Sequence, residues 1–320
     1  MKKVLSYAVV VYFTVFFSYL IAGEYSFDFL DIGIGTRSRA LGCTFVSIAD
    51  DGASVFWNPA GTSLMQSSQF YFTHNANFGG LSTLDYISFI KPLLAKSSFS
   101  FAFIRHNVGE IPIFPELEGT SEERDTTPSI QGDGIPIGYF DESASVFIVN
   151  FSKSLFFSGN RLNVGCNFKY LNESIYSFNG TGIGVDIGFI IAIKQHLLPG
   201  QLTFGVSMKD ASGTHIIWNT KTETKDIVLS DYRLGVSYKK KVNRINSSFM
   251  FAVEHSTRYD NNNHIGLEYT YKNHFLIDGG WNSGSFSIGT GFRFWKITIQ
   301  YGFIPNALGS SHSVSMTFTL

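Results

Sequence analysis

From residue 66 onward, apolar and polar positions alternate almost without interruption. Between Arg161 and Tyr170, one face carries Leu162, Val164, Cys166, Phe168 and Tyr170, and the other Arg161, Asn163, Gly165, Asn167 and Lys169. Ile297, Ile299, Tyr301 and Phe303 repeat the pattern, as do Val314, Met316, Phe318 and Leu320. A period of two marks strands, and no helical stripe of period 3.6 competes with it. About fourteen such segments can be drawn. They lie near 68–77, 83–92, 97–106, 143–154, 160–171, 182–193, 201–209, 231–240, 244–255, 263–272, 274–281, 285–294, 295–303 and 312–320. Most have the length that a tilted strand needs to cross a bilayer.

The connections carry independent information. The even-numbered ones are brief, such as Leu93 to Lys96, Ser158-Gly159 and Lys241 to Asn243. The odd-numbered set holds the long ones: His106 to Glu142, rich in Pro and Glu, then the polar runs Asp210 to Ser230 and His255 to Asn262. Short turns at one end and long loops at the other are how outer-membrane barrels are built. A soluble sandwich has no reason to sort its loops by parity. The expected fold is therefore all-β: a transmembrane, antiparallel outer-membrane β-barrel of about 14 strands. Open edges are forbidden in lipid, so the first strand must pair with the closing strand Val314 to Leu320.

Composition agrees. Charged residues are 15% and aromatic residues 16% of the chain, with 32 Phe, 31 Gly and 8 Pro. Few charges and many aromatics suit strands that meet an apolar solvent. The charges that do occur in strands fall on the polar face: Lys169, Asp186, Lys209, Glu254, Glu268, Asp278 and Arg293. They are read as lumen-facing, because a charge on the lipid face costs roughly 2–4 kcal/mol at mid-depth. Small residues on the same faces, such as Gly184, Gly188, Gly289 and Gly291, suit a crowded lumen. A net charge of −1 gives no basic field for nucleic acid.

At the N-terminus, Lys2 and Lys3 precede an apolar run from Val4 to Ile21, followed by Ala22, Gly23 and Glu24. Residues 1–23 read as a cleaved signal peptide directing export to the bacterial outer membrane. The run is also long enough for an uncleaved anchor. Residues 24–66 are too broken for barrel strands and too few to build a core of their own. The simplest place for them is inside the barrel of residues 67–320, as a lumen plug.

A search for chemistry finds little. Gly33-Ile34-Gly35 and Gly182-Ile183-Gly184 both lack the third glycine of a dinucleotide fingerprint. The His residues show no zinc spacing, and no Ser is framed as a nucleophile elbow. Cys166 should face lipid and Cys43 precedes the barrel, so a bridge between them is not expected. Asp50-Asp51 invites a metal reading, but neighbours on an extended strand point apart, and a solvated turn pair accounts for them. No catalytic residue, metal or cofactor is assigned.

The plug carries two recognisable stretches. Phe29 to Arg37 leads into Arg39-Ala40-Leu41-Gly42, and Ala49-Asp50-Asp51 leads into Trp57-Asn58-Pro59-Ala60-Gly61. Together they resemble the N-terminal signature of the PorV/PorQ family of outer-membrane proteins, related to FadL-type fatty-acid channels. Weaker matches continue in Phe168-Lys169-Tyr170, Val185 to Gly188 and Gly266 to Tyr269. The sequence departs from the pattern at Cys43, where a small residue such as Gly is expected. The resemblance implies a 14-stranded barrel with an N-terminal hatch, and Asn58, Pro59 and Ala60 match the hatch motif. The plug residues singled out are thus Arg37, Asp50, Asp51, Asn58, Pro59, Ala60 and Gly61.

Two functions compete. One is a plugged channel for hydrophobic or amphipathic small molecules, with outer-membrane lipid around it. The other, which the resemblance brings in, is a type IX secretion component that binds exported proteins, with the acidic 106–142 loop as contact.

Overall fold

A computed structural model describes residues 26–115, 135–157, 160–193, 199–222, 224–258 and 262–320. The signal-peptide reading lies outside them, as does the acidic centre, 116–134, of the 106–142 loop.

Sixteen strands follow in chain order: β1 (Gln69–Asn77), β2 (Ser82–Pro92), β3 (Ser97–Ile113), β4 (Gly138–Phe157), β5 (Asn160–Ile175), β6 (Phe178–Ile193), β7 (Gln201–Lys209), β8 (Thr214–Trp218), β9 (Lys225–Val228), β10 (Asp231–Val242), β11 (Ser247–Ser256), β12 (Asn263–Tyr271), β13 (Phe275–Asn282), β14 (Ser285–Phe294), β15 (Ile297–Ile304) and β16 (Ser311–Thr319). Fourteen form a closed antiparallel ring, in which β7 pairs with β10 and β1 closes on β16. The closing register runs from Gln69 opposite Thr319 to Ala76 opposite His312. β8 and β9 form a hairpin added to the outer half of β6, through Gly180 to Gly182.

The alternation separates two environments. Along β11, Phe249, Phe251 and Val253 are exposed, while Met250, Ala252 and Glu254 are buried. Phe70, Phe147, Phe168, Leu267, Ile277 and Met316 are likewise exposed around the ring. An apolar surface of this extent fits a lipid solvent and not water.

Two expectations need correction. The 106–142 segment is not wholly a loop: β3 continues to Ile113 and β4 begins at Gly138, with Ile111 opposite Phe140 beyond a bulge after Val108. Gly109, Glu110 and Pro112 hide this extension, because they break the alternation without breaking the pairing. Likewise, 210–230 is not simply a polar loop, since it contains the β8–β9 hairpin. β4 has 20 residues and β3 has 17, against 8–10 along β11–β16. At roughly 3.3 Å per residue, this side of the wall rises far above what a bilayer crossing needs.

Residues 26–66 run through the ring as short helical turns: Asp28–Ile32, Thr36–Ala40, Ser54–Trp57 and Pro59–Leu64. None has eight residues, so each depends on the wall for its stability. Ile34, Leu41, Phe45, Val55 and Trp57 are almost completely buried there.

Replacing Phe251 with Arg puts a charge on the outward face at mid-strand. The expected loss is about 2–4 kcal/mol of stability, measured by urea unfolding in lipid vesicles. An unchanged midpoint would contradict the assigned lipid face.

Candidate functional site

Three clusters stand out among the polar contacts that fix the 26–66 segment to the wall. At the first, Arg37 donates Nε to Glu268 on β12 and Nη1 to Asp50, both at 2.5 Å, with Asp51 at 3.4 Å. Asp50, whose side chain is 40% exposed, and Asp51, at 16%, are two acceptors on one buried guanidinium. Asp51 also accepts from the Ala53 amide at 2.9 Å, which starts the Ser54–Trp57 turn. Asp278 faces Glu268 across the β12–β13 ladder, buried, with one carboxyl oxygen unpartnered.

Electrostatics separates the two aspartates. Burial and the adjacent Asp50 outweigh the pull of Arg37 and raise the Asp51 carboxyl to about 6. For Asp50, burial also acts upward, but Arg37, with help from Lys239, overcomes it and holds the carboxyl below its usual range. Burial acts against the Arg37 cation too, yet its three carboxylates raise the guanidinium well above its ordinary value.

The second contact is Glu254 on β11. Its Oε2 accepts the Phe45 and Val46 amides, each at 2.8 Å, and its Oε1 accepts from Arg233 at 3.1 Å. Arg233 in turn binds Asp231, which also accepts from Ser256. The chain thus reaches the wall through backbone donors that no side-chain motif advertises.

The third contact is the Asn58-Pro59-Ala60 turn. Asn58 Oδ1 accepts the Ala60 amide at 3.1 Å, as expected of a local turn. Its Nδ2 donates to Val46 O and to Phe189 O on β6, at 2.8 and 3.1 Å. Asn150 donates to Pro59 O, Asn167 donates to Val55 O, and Thr62 donates to Asn150 Oδ1. The wall yields space here: a Cβ on Gly188 would stand 2.1 Å from Asn58 Oδ1, and one on Gly165 would stand 2.3 Å from the Pro59 carbonyl. Gly61 is buried in the Pro59–Leu64 turn, where a Cβ would meet Ala49 O at 2.2 Å.

The remaining lumen charges are also placed. Lys169 bridges Asp186 and Asp210, each at 2.7 Å, and all three are buried. Lys209 meets rings rather than a carboxylate, lying 3.4 Å from the Phe56 centroid and 4.6 Å from that of Trp57. Arg293 belongs to none of these contacts. It is exposed at the short-turn end, donating to Thr298 at 3.2 Å. There it lines a polar vestibule of about 500 Å³, with Lys239, Lys241 and Lys296, whose lining includes Arg37, Asp50 and Asp51. At the opposite end a cavity of about 280 Å³ lies between the 26–66 segment and the rims of β13–β16. Cys43, where a smaller residue was expected, has φ 63°, a left-handed conformation that glycine adopts without strain.

Sequence reasoning missed Asn150 and Asn167, which look like ordinary inward polar residues. The available signal was their place beside Gly165 and Gly188, which reports an approaching backbone. Arg233 was missed for the same reason.

A closed ring with an apolar outward face defines an outer-membrane β-barrel fold. No protein-family model matches the chain, and no curated protein does. Among solved structures it is similar to a TodX monoaromatic hydrocarbon channel mutant, with a TM-score of 0.53 and 12% identity over 90% of this chain and 98% of that one. It is also similar to a FadL homologue of Pseudomonas aeruginosa, with a TM-score of 0.52 and 10% identity over 89% of this chain and 98% of that one. The shared feature is a FadL-like barrel architecture.

Two outcomes test this site. Gly188→Ala should overpack the Asn58 turn and cost about 1–3 kcal/mol, with faster proteolysis of the 26–66 segment. For Asp51, folding raises the pKa, so its ionised form is the disfavoured one in the native state. Its contribution to stability falls as pH rises from about 4 through about 6. Asp51→Asn keeps an acceptor for Ala53 and removes the charge. The variant should gain on the parent between pH 4.5 and 7.5, by at most about 3 kcal/mol, in paired thermal melts. A constant difference across that range would refute the assignment.

Proposed function

We propose that the chain is a plugged outer-membrane channel that admits hydrophobic or amphipathic small molecules, with residues 24–66 as the plug. The observation that carries this reading is the polar share of the contact holding the segment, which is large for so buried an interface. Apolar side chains such as Phe29, Val55 and Trp57 pack with wall residues such as Ile104, Val146 and Leu171, but Arg37–Glu268, Glu254 and the Asn58 turn are polar. Such polar contacts can be exchanged for water at a net cost of roughly 0.5–1.5 kcal/mol each when neutral, more when charged. Open cavities lie at both ends of the ring, so displacement of the segment would join two spaces already present.

The substrate class rests on similarity to channels of this architecture, one of them described as a monoaromatic hydrocarbon channel. The PorV/PorQ assignment rests on Phe29 to Arg37 and Trp57 to Gly61 in the sequence. A second reading, binding of exported proteins at the outer surface, draws on the tall β3–β6 wall. Ile135, Ile137, Tyr139, Tyr176 and Phe178 are exposed there beyond a bilayer's reach.

Deleting residues 24–61 should raise dye uptake by proteoliposomes severalfold. Arg37→Ala should raise it less, because it leaves Glu268, Asp50 and Asp51 without their cation. Uptake equal to that of the intact chain in both variants would sink the plug. Retention of an exported protein by the intact chain, lost on replacing Ile137 and Tyr139 with Ser, would favour the second reading.

A further inference from the structure

The two arginines of the Thr36–Ala40 turn have opposite fates. Arg37 is surrounded by carboxylates, as described. Arg39 is 4% exposed and makes one side-chain hydrogen bond, from Nη1 to Asn75 Oδ1 at 2.8 Å. Among the described residues it has no ion pair. A guanidinium carries five N–H donors and one full charge, and burying that charge uncompensated costs several kcal/mol. Burial pushes Arg39 down to about 10, which still leaves it cationic at neutral pH.

Arg39 lines the outer cavity of about 280 Å³, beside Ile32, Phe78 and Ile304. The exposed residues Ser285 and Asn306 at its rim belong to the long-loop end, so the cavity is reached from outside. Two carboxylates share the lining, Asp28 and Asp31, but Arg258 holds both, at 3.0 and 2.6 Å. Neither forms an ion pair with Arg39, and two carboxylates on one arginine leave the lining a surplus negative charge. On the same inward face of β1, two residues beyond Asn75, Asn77 is fully buried with neither amide atom partnered. Ser82, opposite it on β2, also has an unpartnered hydroxyl.

We propose that the outer cavity is a binding site for a small monovalent carboxylate, seated on the Arg39 guanidinium. The planar fork of Arg39 matches a carboxylate in a way it does not match a spherical ion. The nearby Asp28 and Asp31 disfavour a doubly charged anion, and Ile32, Phe78 and Ile304 leave room for a short apolar substituent. The site lies across the 26–66 segment from the vestibule that Arg37 lines. It stands or falls independently of whether that segment moves.

Acetate is the probe, with chloride and sulfate at equal ionic strength as controls. The full-length protein in detergent should show a saturable rise in Tm with acetate that sulfate does not reproduce. An equal response to chloride would reassign the site to any monoanion and overturn the carboxylate claim. Arg39→Gln should weaken the acetate response at least tenfold. Should that variant fail to fold, Asn75→Asp carries the test. It places a permanent carboxylate at the one side chain Arg39 already touches, and should abolish the acetate response in a folded barrel. Two results would overturn the proposal: no acetate-specific shift in the parent protein, or a shift that survives in Asn75→Asp.

Discussion

Closure of β1 on β16 is the constraint on which the rest depends. In a bilayer every strand amide and carbonyl must find a partner within the protein, so a single open edge would leave a row of them unpaired. The closing ladder spans Gln69 to Ala76 against His312 to Thr319. It forces the alternation to be kept around the whole ring, since a slip of one residue would turn Thr73 and Asn75 to lipid and Phe72 inward. Once closed, the ring has an inside, and residues 26–66 fill it among the described residues.

That inside explains the chemistry of the 26–66 segment. The inner face offers the segment both apolar neighbours, such as Ile104, Val146 and Leu171, and buried polar groups that must be satisfied. The solution is one of paired charges and backbone hydrogen bonds. Glu254 accepts two amides, Arg37 serves three carboxylates, and Asn58 joins the segment to two strands. Glycine supplies the remaining space: Gly280 lies so close to Gly42 that a Cβ would stand 2.0 Å from its amide nitrogen. Polar attachment and close backbone approach thus occur at the same levels of the ring.

The fold was legible because its signals are local. Period-two alternation, the parity of the connections and the inward charges each appear within a dozen residues, and Lys169, Asp186, Glu254, Glu268 and Asp278 are all inside. The tall β3–β6 wall was not legible, because a bulge and Pro112 interrupt the pattern where the pairing persists. The site was half legible. Arg37, Asp50, Asp51 and Asn58 stand out as a motif, yet Arg37's partner Glu268 is 231 positions away. No spacing rule links such residues; only closure of the ring brings them together. Arg39 belongs to the same stretch, and nothing in the sequence distinguishes its lack of a counter-ion from the abundance around Arg37.

If the segment moves as the proposed channel requires, the contrast between these two arginines bears on how it can be both stable and removable. Arg37 gains its partners from the wall and from its own segment, so moving the segment would break Arg37–Glu268 while keeping Asp50 and Asp51 at hand. A charge that travels with its own counter-ions is cheaper to expose than one that must leave them behind. Arg39 has no such companions, so its burial favours departure unless an external acceptor reaches it. On the proposed reading, the segment holds one arginine that would resist movement weakly and one whose burial a ligand in the outer cavity would offset. Occupancy there would add to the stability of the seated state in proportion to ligand concentration over its Kd, with no change in the wall.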